Sequence, residues 1–231
     1  MTPPAPVRGV VFDLDGTLVD SWPLHQRCLR AAAAAVGLAG LSAARLAAAQ
    51  RPTDVDTVRA VVGPDRFTAA WPHYRRELHA ALAAGPVPPM PHVRQTVRAL
   101  LAADVVVGLC TGRTRADAVA LLAASGLPVE VTVAREDAAR PKPAPDGLLA
   151  ALRRLGLAPH ETRYLGDTAA DVAQGAAAGV PTALVRRAGD LARAIHSYGL
   201  EGLTHDRPQP SRPAAVALRR HGDPDAGGVR G

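Results

Sequence analysis

The segment Arg8-Gly9-Val10-Val11-Phe12-Asp13-Leu14-Asp15-Gly16-Thr17 decides how this chain folds. Residues 8–12 form a short apolar run with β-branched side chains, which predicts a buried strand. The run stops at Asp13, and a second carboxylate and a glycine follow directly. Polar residues placed after a buried strand are typical of a site at the carboxyl end of a parallel sheet.

Downstream of residue 91, helical patterns alternate with apolar strands. The predicted helices are 92–103, 114–125, 145–156 and 169–178, and the predicted strands are 104–110, 129–133, 162–165 and 181–185. Such alternation favours an α/β fold with a doubly wound parallel sheet, in which ligands bind beyond the carboxyl ends of the strands.

Residues 21–87 break this alternation and are predicted to be all-helical. Leu24, Cys28, Ala31 and Ala35 recur at helical spacing, and shorter helices are predicted near 42–50 and 54–62, with Asp54 as N-cap of the latter. A last apolar stripe consists of Trp71, Tyr74, Leu78 and Leu82, with Pro72 accepted at a helix start. We interpret this stripe as core packing.

The proline-rich stretch Gly85-Pro86-Val87-Pro88-Pro89-Met90-Pro91 predicts a stiff linker. The predicted domains are therefore an α/β core of residues 1–20 and 88–205, a helical cap of residues 21–87, and a basic tail of residues 206–231 that reads as disordered. Linkers near 18–22 and 85–91 would let the cap open and close over the core.

Composition excludes several classes of protein. No apolar run among the 231 residues is long enough for a transmembrane helix, and the start of the chain does not resemble a secretory signal. Two cysteines, Cys28 and Cys110, cannot form a disulfide framework, so a cytoplasmic location is expected and both thiols are read as buried apolar groups. The net charge of +6 comes partly from the tail, which lacks aromatic residues, so a nucleic-acid partner is not favoured.

Chemistry-bearing residues gather at four predicted strand ends. They are Asp13-Leu14-Asp15-Gly16-Thr17, Thr111-Gly112-Arg113, Arg140-Pro141-Lys142-Pro143, and Gly166-Asp167 with Asp171. Several carboxylates in one cleft need a cation, and oxygen-only ligands favour Mg²⁺. Lys142, Thr111 and the main-chain N–H groups around Leu14, Asp15 and Gly112 would form an anion site that suits phosphate. Lys142 is the only lysine among the 27 basic residues.

These four ordered segments together resemble the four motifs of the haloacid dehalogenase-like (HAD) superfamily. The match spans roughly residues 8–187, and the helical insert between the first and second motifs resembles the C1 cap of the phosphoglycolate-phosphatase-like branch. The resemblance implies a Rossmann-like core and a phosphatase that uses Mg²⁺ and acts on a small phosphorylated metabolite.

The resemblance also implies a role for each motif residue. Asp13 would be the nucleophile and would form an aspartyl-phosphate, and Asp15 would act as general acid and then as base. Thr111 and Lys142 would bind the phosphoryl group, and Lys142 would offset charge in the transition state. The ligands of Mg²⁺ would be the Asp13 carboxylate, the Asp15 carbonyl and Asp167, with Asp171 in support.

Other readings remain open. The alternative function is a phosphosugar mutase of the β-phosphoglucomutase type, and a non-catalytic HAD-like binding protein is less favoured. Asp15 argues against a dehalogenase, and a cap without lysine argues against a Schiff-base hydrolase. Asp20-Ser21 is interpreted as the cap of the first inserted helix. Trp22, His25 and Arg113 either line the substrate site or serve packing, and the oligomeric state is left open.

Overall fold

The sheet at the centre of the molecule is parallel, as predicted. The structure, a computed structural model, describes residues 6–186 and 189–197. Its four strands are β1 (Gly9–Phe12), β2 (Val106–Leu109), β3 (Thr162–Gly166) and β4 (Thr182–Leu184), in the order β2-β1-β3-β4. Phe12 is in register with Leu109 on one side and Leu165 on the other, so the carboxyl ends of these three strands meet at one edge.

Helices flank the sheet and build the insert. The inserted helices are α1 (Trp22–Ala35), α2 (Ala43–Ala48), α3 (Asp54–Val62) and α4 (Pro64–Ala84). The helices of the core are α5 (Val93–Ala102), α6 (Arg115–Ser125), α7 (Asp146–Leu155), α8 (Ala169–Ala178) and α9 (Asp190–Ser197), with short 3-10 turns at Arg135–Asp137 and Pro159–Glu161. None of the helices in these ranges is long and apolar enough to cross a membrane.

The alternation of side chains along β1 explains why helices cover both faces of the sheet. Val10 and Phe12 pack in one apolar cluster together with Leu121, whereas Val11 packs in a second cluster with Leu148. The inserted helices have a separate core, which includes the fully buried Leu29, Leu46, Val58, Tyr74 and Leu78. The α/β core with an all-helical insert is therefore confirmed.

The two linkers between insert and core lie side by side. Val19 forms an antiparallel bridge with Pro89. The Asp20 N–H donates to the Pro88 carbonyl at 3.0 Å, and the Met90 N–H donates to the Leu18 carbonyl at 2.9 Å. The proline-rich linker is thus paired with the chain that enters the cap. The tail predicted at 206–231 lies outside the described residues.

The predicted strand 129–133 is wrong. This segment contributes one isolated bridge, between Val133 and Cys110, in which the Val133 N–H donates to the Leu109 carbonyl at 2.8 Å. The Leu109 N–H donates to the Thr132 hydroxyl at 3.2 Å. Because a side chain takes the position that a backbone carbonyl would hold in a ladder, the pairing does not extend into a strand.

Two helix starts also differ from prediction. The start of α4 is Pro64, and Pro72 lies inside that helix, which continues because Ala70 and Tyr74 on either side are packed into the cap core. The N-cap of α3 is Thr53, whose hydroxyl accepts from the Asp56 N–H at 3.0 Å, so Asp54 is the first helical residue. Tertiary packing overrides the local proline signal in the first case.

Candidate active site

A cavity of about 540 Å³ lies between the carboxyl edge of the sheet and the cap. The core supplies to its wall the predicted site residues Asp13, Asp15, Gly112, Lys142, Asp167 and Asp171. Thr111 lies beside them and lines an adjoining cavity of about 320 Å³, to which Gly112 and Lys142 also belong. The Leu14 side chain is fully buried in the core cluster, so only its main chain is available to the site.

Lys142 joins two carboxylates that come from different strand ends. Its Nζ donates to Asp13 Oδ1 and, at 2.7 Å, to Asp171 Oδ1. Burial by itself would lower the pKa of Lys142, but Asp13 and Asp171 outweigh it and raise that pKa well above its usual value. The lysine therefore stays charged although only 8% of its surface is exposed. Its hydrogen bond holds the Asp13 carboxylate in place.

Asp171 is held by hydrogen bonds to both of its oxygens. Oδ1 accepts from Lys142 and from the Tyr164 hydroxyl at 2.7 Å, whereas Oδ2 accepts from the Thr168 N–H at 3.0 Å and its hydroxyl at 2.5 Å. Thr168 and Asp171 form the capping box that begins α8. This arrangement fits Asp171 as the residue that positions Lys142.

Asp13, Asp167 and Asp171 each place a carboxylate oxygen within 4.8 Å of the others. Burial, helped by Asp171 and by Asp15, raises the pKa of Asp167 to about 6. Burial also raises the pKa of Asp13 well above its usual value, against the opposing charge of Lys142. A divalent cation among these oxygens would relieve the repulsion between the carboxylates. Asp171 is the member of this set whose two oxygens both accept hydrogen bonds from other residues.

Two glycines allow these carboxylates to approach. Gly16 has a φ of +74°, and a Cβ there would lie 2.4 Å from Asp167 Oδ2. A Cβ on Gly166 would lie 2.4 Å from the Asp171 side chain. The close approach of Asp167 to the loop after β1, and of Asp171 to the last residue of β3, thus depends on glycine at both positions.

Asp15 has a different set of partners. The Arg113 Nε donates to Asp15 Oδ1 at 2.9 Å and to Oδ2 at 2.8 Å, and Nη2 donates to Oδ1 at 2.8 Å. Burial pushes the pKa of Asp15 upward, but the charge and hydrogen bonds of Arg113 outweigh it, so the pKa is lowered. Ser21 occupies the predicted N-cap position of α1, but its hydroxyl donates to Asp15 and makes no capping hydrogen bond.

Arg113 connects this carboxylate to the cap. Its Nη1 donates to the Tyr74 hydroxyl at 3.2 Å, and that hydroxyl lies 2.6 Å from His25 Nδ1. Burial, together with Arg113, lowers the pKa of His25 to about 3, so this imidazole is neutral. Trp22, His25 and Arg113 all line the cavity. Tyr74 was missed by the sequence analysis, because its spacing indicated only core packing.

Gly112 of the core lies against the backbone of the cap loop at Pro52 and Thr53. A Cβ at this position would lie 1.9 Å from the Pro52 carbonyl oxygen and 3.4 Å from Thr53 Cα. Both neighbours are backbone atoms, so a side chain cannot be accommodated by a change of rotamer. The seating of the cap loop therefore depends on glycine in the second motif.

We expect Gly112→Ala to push the cap loop off the core and to reduce kcat/KM by about tenfold or more, in line with the cost of a small misplacement at a site. Steady-state kinetics with p-nitrophenyl phosphate would measure this. Gly85→Ala is the matched control, since its backbone is extended and a Cβ there meets nothing within 4 Å. Equal kinetics in the two variants would contradict the importance of the contact.

The two cysteines take no part in this chemistry. Cys28 and Cys110 are both buried and unpaired, and burial raises the pKa of each thiol to about 12. Both are therefore neutral apolar groups, as the sequence indicated.

The parallel sheet, the strand-end carboxylates bridged by a lysine and the helical insert define a class of protein: an α/β fold that carries a carboxylate site at the carboxyl edge of its sheet, under a helical cap. The sequence profile of the family described as "Haloacid dehalogenase-like hydrolase" matches residues 10–185. The chain belongs to this family.

Two of the proteins to which this chain is similar are phosphoglycolate phosphatases. It is 33% identical over 198 residues to the phosphoglycolate phosphatase of Rhodospirillum rubrum, a match that covers 77% of this chain and 79% of the relative. It is also 33% identical over 183 residues to the phosphoglycolate phosphatase of Yersinia pseudotuberculosis, covering 76% and 79% of the two chains. The relatives place this enzyme among the phosphoric monoester hydrolases.

Solved structures share the fold. A putative phosphoglycolate phosphatase from Lactobacillus plantarum matches with a TM-score of 0.67 at 23% identity, over 78% of this chain and 86% of that one. The β-phosphoglucomutase of Clostridium difficile matches with a TM-score of 0.69 at 13% identity, over 86% and 100%. At these identities the likeness concerns the fold alone.

Proposed function

We propose that this chain is a Mg²⁺-dependent phosphatase that hydrolyses a small phosphomonoester through an aspartyl-phosphate. The observation that carries the proposal is the buried Lys142, which bonds Asp13 and Asp171 beside Asp167 in one cavity. Relatives named phosphoglycolate phosphatase support a phosphomonoester as substrate.

In the first step, one Asp13 oxygen attacks phosphorus, and the bond from phosphorus to the leaving oxygen breaks. Lys142 orients Asp13 and offsets the negative charge that gathers on the phosphoryl oxygens. Thr111 and the main-chain N–H groups of the first two motifs, at Leu14, Asp15 and Gly112, bind those oxygens. Splitting the displacement into two steps avoids a direct attack of water on the ester.

Asp15 acts as general acid in the first step and as general base in the second. It donates a proton to the leaving alkoxide, then takes one from the water that attacks the aspartyl-phosphate, which frees Asp13 and phosphate. The ion pair with Arg113 keeps Asp15 ionised, which is the form that acts as base. Acid action requires this carboxylate to gain a proton before the ester bond breaks.

The three neighbouring carboxylates fit a divalent cation. We propose that the Asp13 and Asp167 carboxylates and the Asp15 carbonyl hold Mg²⁺, with Asp171 in support through its hold on Lys142. When bound, the ion would supply positive charge that shields the phosphoryl group from the carboxylates. Oxygen ligands without histidine or cysteine favour Mg²⁺ over Zn²⁺.

A cavity of about 540 Å³ suits a metabolite-sized substrate beneath the cap. The fold is shared with a β-phosphoglucomutase, but no contact in the described residues favours a mutase over a phosphatase.

The test is a panel of phosphorylated metabolites, together with p-nitrophenyl phosphate, assayed with Mg²⁺ and with EDTA. We expect release of inorganic phosphate that EDTA abolishes and added Mg²⁺ restores. Isomerised sugar phosphate without net phosphate release would support the mutase instead. A folded protein that releases phosphate from no member of the panel would contradict the proposal.

A further inference from the structure

We infer that the cap residue Asp54 makes this site prefer phosphomonoesters whose alcohol part carries a hydrogen-bond donor, a hydroxyl or an ammonium group, over those that end in a carboxylate. The inference rests on the proposed function and concerns the substrate class of the same site.

Asp54 is a buried carboxylate in the wall of the cavity. It is the first residue of α3, it is 5% exposed, and it lines the same cavity as Asp13 and Lys142. Its Oδ1 accepts from the Val55 N–H at 2.8 Å. Its Oδ2 is buried and has no hydrogen-bond partner among the described residues.

An unpaired buried carboxylate oxygen is costly, because it has lost water and gained nothing in return. Because Asp54 lines the substrate cavity, a donor on the substrate would supply the missing hydrogen bond once the carboxylate turns Oδ2 towards it. A site with such an unpaired group discriminates strongly against an analogue that lacks the donor. A substrate that ends in a carboxylate would bind less well than one with an uncharged end, because its charge would repel the Asp54 carboxylate.

The cations nearby do not cancel this preference. Arg113 and Lys142 are the buried cations; Arg113 is committed to Asp15 and to the Tyr74 hydroxyl, and Lys142 is committed to Asp13 and Asp171. Arg186 is exposed, and its Nε donates to the Asp167 carbonyl at 2.7 Å. Arg51 is exposed, and its Nη1 donates to the carbonyls of Ala48 and Gln50 at 3.1 and 2.8 Å. Among the described side chains that line the buried part of the cap wall, Asp54 therefore supplies a negative charge, and none supplies a cation that is free to bind a substrate carboxylate.

The electrostatics of Asp54 agree with this reading. Burial raises its pKa to about 6, although the charge of Arg113 opposes the shift. A donor on the substrate, above all a cationic one, would stabilise the ionised form. The phosphoryl group would lie at the other end of the cavity, against Lys142, so the two ends recognise different halves of one substrate.

Three substrates with the same two-carbon skeleton test the inference: O-phosphoethanolamine, 2-hydroxyethyl phosphate and 2-phosphoglycolate. We expect the wild-type enzyme to favour both donor-bearing esters in kcat/KM, by about 10- to 100-fold, the range expected for a hydrogen bond to a charged group. Asp54→Asn should reduce the ratio of each donor-bearing ester to 2-phosphoglycolate by tenfold or more. Asp65→Asn, an exposed carboxylate elsewhere in the cap, should keep the wild-type ratios.

Binding gives a second measurement that needs no change at Asp54. Calorimetry with the turnover-deficient Asp13→Asn protein should show tighter binding of O-phosphoethanolamine than of 2-phosphoglycolate. Preference of the wild-type enzyme for 2-phosphoglycolate, or unchanged ratios in Asp54→Asn, would overturn the inference and leave the proposed phosphatase intact. Absence of turnover with every ester, p-nitrophenyl phosphate included, would instead overturn the proposed function together with this inference.

Discussion

Replacing Asp13 by asparagine is expected to reduce phosphate release by about four orders of magnitude or more, since removal of the nucleophile of a serine protease costs about 10⁶-fold in kcat. The amide has the size of the carboxylate and can still accept a hydrogen bond from Lys142, but it cannot attack phosphorus at a useful rate. Release of p-nitrophenol from p-nitrophenyl phosphate in the presence of Mg²⁺ would measure the effect.

Asp20→Asn is the matched control for this experiment. Asp20 lines the same cavity and is exposed, so the variant removes the same charge without removing the proposed nucleophile. We expect its activity to stay within a fewfold of wild type, and both variants should retain the wild-type circular dichroism and melting temperature. More than a tenth of wild-type turnover in folded Asp13→Asn would rule out the assigned nucleophile.

The second large effect is expected for Lys142→Arg, which should lower kcat by about 10²- to 10³-fold, the cost typical of losing one aligned charge at a developing oxyanion. The Lys142 Nζ is a compact charge that bonds Asp13 and Asp171 at once, and both carboxylates are buried around it. A guanidinium is planar and larger and has a different donor geometry, so it cannot occupy this position without displacing one partner.

Steady-state kinetics of Lys142→Arg should be compared with the reverse exchange, Arg140→Lys, in the same loop. Arg140 is exposed and pairs with Asp146 at 2.8 Å, and exposed pairs contribute little, so near wild-type kinetics are expected for that control. Wild-type turnover in Lys142→Arg would show that any cation suffices at this position, contrary to our reading of the only lysine in the chain.

The convergence of three of the four motifs could be predicted because it follows from local patterns and one topological rule. Apolar runs in the sequence predict the strands β1, β2 and β3. Parallel strands bring their carboxyl ends to one edge of the sheet. The residues that follow these strands therefore come together. Lys142, 129 positions from Asp13, joins them although the segment before it forms one isolated bridge and not a strand. The lone lysine gave a further signal, since a composition so rich in arginine retains lysine where its compact charge is used.

The partners of Asp15 could not be predicted in the same way. Arg113 donates to Asp15 within the core and to Tyr74 in the cap, and Ser21 donates to Asp15 from the start of the cap. The separation of these residues in sequence carries no information about these contacts. The spacing of Tyr74 marks a buried helix face equally well whether its hydroxyl is free or bonded. The same reasoning covers Asp54, whose unpaired oxygen is a property of its surroundings and not of its position before Val55.

Sequence alone determined the fold class with its helical insert and predicted the motif residues, because periodicity and the polar residues after apolar runs are local properties. Tertiary structure alone decided that residues 129–133 form a single bridge, that Pro72 lies within a helix, and that Arg113 binds Asp15 while Asp54 keeps an unpaired oxygen. Each of these depends on which groups are brought into contact by the packing of distant segments. The free energy of such contacts depends on burial and hydrogen bonding around each group, which no short stretch of sequence specifies.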